Sequence, residues 1–195
     1  MAAIESVLAL EYGESRFEFH PNWAHSEQMG AFKSGSGDEV FVHFTKFGCI
    51  IIGFAHESEM SPHRKSPPEL WPGLLSGVPV EFEVSLEEPA FDIADTTFVV
   101  WRLATDTAWQ TSSIEYPNDE YGDGSRELLS QFIYTAAEFR DWLADNYEVD
   151  VDPGIVSSVF SNKPLTNQEL STLNPEAQIN RLRKAVTETG YELAE

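Results

Sequence analysis

The densest set of reactive groups in this chain is the run His56-Glu57-Ser58-Glu59, with His63 a few residues on. Imidazoles and carboxylates bind divalent metals when they converge within about 2.0–2.2 Å of one point. A helical H-E-x-x-H achieves this because its histidines lie one turn apart. The spacing here matches no such motif, and Ser61-Pro62 prevents a continuous helix through the segment. His56, Glu59 and His63 are the metal-ligand candidates of a chain for which no metal and no other cofactor is expected. A second chemistry is general-base work. Asp38 falls opposite His56 if the two apolar runs between them pair, and a carboxylate there orients an imidazole. Asp38, His43, His56 and Glu57 are the catalytic candidates, set against a plain His–carboxylate pair closing the end of a sheet.

The loop Tyr116-Pro117-Asn118-Asp119-Glu120-Tyr121-Gly122-Asp123-Gly124 concentrates acids between two tyrosines. Against a calcium-binding EF-hand loop, Asp119, Asp123 and Gly124 match. Tyr121 and Ser130 stand where ligands belong. The loop reads instead as a sheet-to-helix connection whose last acid caps the helix, and as a contact surface for a basic protein. Several catalytic arrangements are missing: there is no G-x-S-x-G, no P-loop and no G-x-G-x-x-G after a strand. Cys49 lies within the apolar run Phe47-Gly48-Cys49-Ile50-Ile51-Ile52, where a thiol is a small hydrophobe. As the sole cysteine it forms no internal disulfide.

The charge balance sets the class of partner. The 195 residues carry 33 Asp+Glu against 12 Lys+Arg, a formal net charge of −21. Such a chain repels nucleic acid and anionic membrane and attracts cations and basic proteins. Hydrophobic residues make up 42%, with 13 Phe and five Trp, so the acidity coats a packed body and does not mark a disordered one. Met-Ala-Ala-Ile-Glu-Ser lacks a basic leader, and no apolar stretch approaches the ~20 residues of a spanning helix. The expectation is a cytoplasmic, non-catalytic binding module for a basic protein partner, in the manner of an immunity or inhibitor protein. Its expected contact residues are Glu81, Glu83, Tyr116, Asp119, Glu120, Tyr121 and Asp123. The alternative is a small-molecule or metal-dependent hydrolase using Asp38, His56, Glu57 and Glu59.

The elements that must position these groups follow from periodicity. The chain is strand-rich over 1–115 and helical over 123–195, which argues for one α+β domain. A mostly antiparallel sheet of about five strands is expected, packed by several C-terminal helices. Val40 to Thr45 and Cys49 to Phe54 flank Lys46-Phe47-Gly48, which suits a three-residue hairpin pairing Phe44 with Ile50 and Val42 with Ile52. That register puts His43 on the face away from the apolar set. Val78 to Leu86 alternates strictly and predicts a strand with Glu81 and Glu83 on its outer side. Thr96 to Ala104 and Thr107 to Glu115 predict a hairpin turning at Thr105-Asp106, and Arg16 to His20 a further strand. A helix is predicted over Asn22–Lys33, and after the capping box Ser66-Pro67-Pro68-Glu69 no more than about one helical turn, which Pro72 stops. Further starts lie near Asp123, at Thr135, at Asp152-Pro153, at Thr166 and at Asn174-Pro175.

Overall fold

The computed structural model describes residues 1–117 and 122–194. The architecture is α+β, with one antiparallel sheet in the N-terminal half and several helices in the C-terminal half. The sheet has six strands, paired in sequence order: β1 (Phe17–Ala24), β2 (Glu27–Lys33), β3 (Glu39–Thr45), β4 (Gly48–Phe54), β5 (Phe98–Leu103) and β6 (Gln110–Thr111). The chain divides into two compact units. One is built from residues 1–21 and 133–195, the other from 22–132. Among the described residues no helix is long and apolar enough to cross a membrane.

In the 22–132 unit the predicted helix over Asn22–Lys33 is instead the end of β1, a turn at His25-Ser26, and β2. Ser26 takes a left-handed conformation (φ 62°). Gly30 is costly in a helix interior. In the sheet it lies opposite Val42, while Met29 and Ala31 pair with His43 and Phe41. Neighbouring residues Met29 to Phe32 are all buried, because both faces of the sheet are covered here.

The β3–β4 hairpin forms one residue out of the expected register. Thr45 pairs with Gly48, Phe44 with Cys49, His43 with Ile50 and Phe41 with Ile52, around a two-residue turn. Gly48 is required by a close approach: a Cβ there would lie 2.2 Å from the Arg102 carbonyl of β5. A slip of one residue moves every side chain to the other face. His43 therefore joins Phe41, Ile50 and Ile52 on the face packed against Phe82 and Phe91, and not the face the three-residue turn implied. The β5–β6 pairing, Val100 with Thr111 and Trp101 with Gln110, centres on Thr105-Asp106 as predicted.

Val78 to Leu86 is not a strand. Val80–Phe82 is a 3₁₀ turn running into α2 (Glu83–Leu86). The alternation coincides with a helical spacing in which Phe82 and Ser85 turn inward while Val80 and Val84 are exposed. Pro79, in extended conformation, is the residue that opens the 3₁₀ turn. Glu81 and Glu83 consequently share no outer sheet face. Two more 3₁₀ turns, Pro89–Phe91 and Ile93–Asp95, are joined at Asp92, another left-handed residue (φ 40°). Phe82 and Phe91 from this segment fill the core over Met29, Phe41, Ile50, Ile52, Val99 and Trp101. No helix follows Ser66-Pro67-Pro68-Glu69; the nearest helical turn, Pro62–Arg64, precedes it.

The same unit ends in α3 (Ser125–Ser130), which begins at Gly124 against β4's exit. In the other unit, α1 (Ala2–Tyr12) packs with α5 (Pro153–Phe160), α6 (Asn167–Leu173) and α7 (Ile179–Glu188), and α4 (Ala136–Tyr147) with α5. Thr135 and Thr166 form the predicted capping boxes with Glu138 and Glu169, and Asp152 caps α5 before Pro153. The last helix starts at Ile179, not at Asn174-Pro175. Asn174 is buried, donates to the Val7 carbonyl at 3.0 Å and accepts from Ala177 N–H, a turn that precedes the helix, whose N-cap is Gln178. Beside it, the buried Glu5 carboxylate accepts from the N–H groups of Arg16 and Phe17 and from the Tyr147 hydroxyl.

Candidate functional site

The Ser34–Gly37 turn and the exit of β4 bring Asp38 and His56 together. Asp38 accepts from Ser34 Oγ at 3.1 Å, and Ser34 Oγ accepts the Asp38 N–H at 3.1 Å, fixing the carboxylate at the mouth of β3. His56 Nδ1 lies 2.7 Å from Asp38 Oδ1, and the His56 backbone N–H donates to the same oxygen at 3.0 Å. The other ring nitrogen, Nε2, meets Glu57 Oε1 at 3.1 Å. Hydrogen bonding to Asp38, with the charges of Asp38 and Glu57, raises the His56 pKa above its ordinary value. Burial pushes the Asp38 carboxyl up, but the bonds from His56 and Ser34 outweigh it and hold the group below the usual carboxylate range. With a carboxylate on each nitrogen, the ring is favoured as a two-donor imidazolium.

This pair borders a concavity of about 670 Å³, lined also by Glu57, Glu59, Glu127 and Arg64. Arg64 does not neutralise those carboxylates directly: its Nε donates to the Ser58 carbonyl at 2.6 Å and its Nη2 to the Glu57 carbonyl. Ser58 is committed to structure as well, donating to the Gly122 carbonyl at 2.8 Å and accepting from Met60 N–H at 2.9 Å. Gly124 closes the floor. Its φ of +81° is left-handed, and a Cβ would fall 2.2 Å from Ala55 Cβ.

The remaining candidates lie elsewhere. His63 turns to Asp95 at 2.9 Å and packs edge-on to Phe54, so it does not join His56. Among the described residues no three His, Cys, Asp or Glu side chains are grouped to hold a metal ion. His43 is buried between Ser85 Oγ (2.9 Å from Nδ1) and Glu27 Oε2 (3.2 Å from Nε2), its ring edge-on to Phe91. The order Ser–His–carboxylate is that of a hydrolytic triad, but Ser85 has no exposed surface and no substrate reaches it. The link ties α2 to β2 and β3. Burial pushes the Cys49 thiol up to about 12, which removes the thiolate a nucleophile needs.

Of the expected partner contacts, Tyr116 and Glu83 are exposed and Glu81 is half-buried on the 3₁₀ turn. Asp123 accepts from Ser125 N–H at 2.9 Å just ahead of α3, whose N-cap is Gly124 without a side-chain cap and not the expected acid, and its carbonyl accepts from Thr97 Oγ1 at 2.8 Å. Asp119, Glu120 and Tyr121 lie outside the described residues. Sequence reasoning missed a second cavity, of about 200 Å³, on the inner face of the same sheet end, where Glu39, Phe41, Phe91, Asp92, Asp95 and Thr96 meet. Its signal was hidden by the hairpin register, which alone places Phe41 and Glu39 on the inner side. No family model, curated protein or solved structure matches the chain, so the reading of these sites rests on their own chemistry.

Proposed function

We propose that this protein is a non-catalytic, cytoplasmic binding module for a basic protein partner, docked at the mouth formed by Asp38, Glu57, Glu59 and Glu127. One observation carries the reading: four carboxylates border a single concavity whose guanidinium, Arg64, is turned onto backbone carbonyls. Carboxylates on a concave wall focus a negative potential, and a chain of net charge −21 adds the long-range steering. Lysine and arginine side chains are the groups such a surface recognises, and nucleic acid and anionic lipid are disfavoured by the same field.

A hydrolase using Asp38, His56, Glu57 and Glu59 is the second reading, favoured by the 2.7 Å His56–Asp38 contact. It requires His56 to release its proton and offer a lone pair. The carboxylate on each nitrogen opposes that step, and Ser58 is occupied by Gly122 and Met60.

Calorimetric titration with a tetralysine peptide tests the proposal. The triple variant E57Q/E59Q/E127Q leaves the Asp38–His56 pair in place and is expected to bind about tenfold more weakly at low salt. Equal affinity of variant and parent, with the fold intact by circular dichroism, would contradict it.

A further inference from the structure

We infer that His56 is a built-in competitor for the basic partner: its imidazolium occupies acceptors of the mouth, and docking of the partner releases the ring's proton to solvent. This regulation rests on the docking proposed for the same concavity. Both ring nitrogens are engaged by carboxylates, Nδ1 with Asp38 Oδ1 at 2.7 Å and Nε2 with Glu57 Oε1 at 3.1 Å. A lysine ammonium brings three donors and no acceptor, so it seeks the same oxygens. Arg64, the other cation of the lining, donates to the Ser58 and Glu57 carbonyls instead. The four carboxylates of the lining therefore face two cations while His56 is protonated and one when it is not. Gly37, which also lies against the ring, brings no charge; a Cβ there would stand 3.5 Å from His56 Cγ.

The two carboxylates are not held equally. The Asp38 side chain is 21% exposed and accepts from the His56 backbone N–H and from Ser34 Oγ as well, so it stays in place whether the ring is charged or neutral. The Glu57 side chain is 79% exposed, and among the described residues its carboxylate meets only the His56 ring. A neutral imidazole keeps one N–H. The shorter contact keeps that N–H on Asp38, and the lone pair then left on Nε2 faces Glu57 and repels it. Loss of one proton thus frees Glu57 for the partner, beside Glu59 and Glu127 of the same lining. Conversely, a lysine that draws Glu57 away leaves Nε2–H without its acceptor and favours the neutral ring. Affinity for a basic partner climbs as pH rises through the folded value of His56 and levels off above it. The contacts with Asp38 and Glu57 keep the ring charged at a pH where a free histidine, near about 6.5, has begun to lose its proton.

The test is calorimetric titration with N-acetyl-tetralysine amide between about pH 5.5 and 8.5 at constant ionic strength. In that window the peptide stays charged, below the ordinary lysine value of about 10.4, and the carboxylates stay ionised, above about 4.3. Parent affinity is expected to rise about fivefold from the acid to the alkaline end. Reciprocally, saturating peptide is expected to lower the NMR midpoint of the His56 ring by about 0.7 pH unit, the same factor written as a shift. Titration in two buffers of different ionisation enthalpy counts the proton: net release is expected from the parent near the ring midpoint. His56→Gln keeps the other four histidines and is expected to release none and to bind equally well across the window. Glu57→Gln leaves the ring on Asp38 and is expected to hold the acid-end affinity throughout. Binding with one affinity at every pH, with the ring midpoint unmoved by peptide, overturns the role of His56 and leaves the docking reading standing. No binding at any pH contradicts the docking reading itself, and the role of His56 falls with it.

Discussion

Asp38 accepts two hydrogen bonds from one residue, His56, through the imidazole at 2.7 Å and the backbone N–H at 3.0 Å. The pair couples the end of β4 to the start of β3 in a way that depends on pH. The His56 pKa is raised in the folded protein, so its stabilisation is complete below about 6.5 and is lost as pH rises through the folded value. The Asp38 pKa is lowered, so its stabilisation is present above about 3.9 and is lost as pH falls through the folded value. Both contributions are in place between about pH 4 and 6.5. An NMR titration of the His56 ring is expected to give a midpoint above that of a free histidine, and Asp38→Asn to bring it down toward the ordinary value. An unchanged midpoint in the variant would show that the contact contributes nothing to the proton affinity.

Gly124 is predicted to be irreplaceable at the floor of the mouth. A Cβ would stand 2.2 Å from Ala55 Cβ, on a residue with φ +81°. Gly124→Ala is expected to cost about 2–3 kcal/mol in urea unfolding, combining a steric clash with a left-handed backbone. Gly122 has φ +55°, but among the described residues nothing lies within 4 Å of where its Cβ would be. Gly122→Ala bears the backbone term alone and is expected to cost about 1 kcal/mol.

Glu5 supplies a second pH dependence with the opposite sign to that of Asp38. Burial raises its pKa despite the bonds from Tyr147, Arg16 and Phe17. Between the unfolded and the folded value the folded protein therefore binds more of this proton than the unfolded chain does. Stability falls as pH rises from about 4.3 toward the folded value. Glu5→Gln is expected to flatten that part of the stability–pH curve, measured by thermal unfolding across the range. Tyr147→Phe removes the hydroxyl that donates to the carboxylate and is expected to cost about 2 kcal/mol.

The buried His43 is predicted to matter for folding and not for binding. Ser85→Ala leaves Nδ1 without its partner at 2.9 Å and is expected to cost about 1–3 kcal/mol. Tetralysine affinity is expected to stay at the parent value, as measured by calorimetry. A loss of affinity with unchanged stability would move the binding surface to the α2 side of the sheet.

Local signals decided which parts of this fold were legible. The capping boxes at Thr135 and Thr166 and the Asp152-Pro153 start each combine a cap with a nearby apolar stripe, and all three helices begin there. Asp38 and His56 meet even though the strands carrying them pair one residue out of the inferred register, because the contact lies beyond the strand ends, where the chain has turned. His43 shows the converse. Its face depended on whether Gly48 served a turn or a close approach to Arg102, and only the neighbouring strand β5 settles that. Val78 to Leu86 misled because residues two apart in a strand and three or four apart in a helix overlap over so short a run. The cavity at Thr96 depends on 3₁₀ turns and a left-handed Asp92, for which periodicity carries no signal.

The most direct test of the account is where a basic peptide touches the protein. Backbone amide shifts during a tetralysine titration are expected to concentrate at Asp38, His56, Glu57, Glu59 and Glu127, and to fade as salt is raised. Shifts spread over the exposed acids at large, with Glu83 and Glu87 moving as far as Glu57 and Glu59, would contradict a focused docking surface.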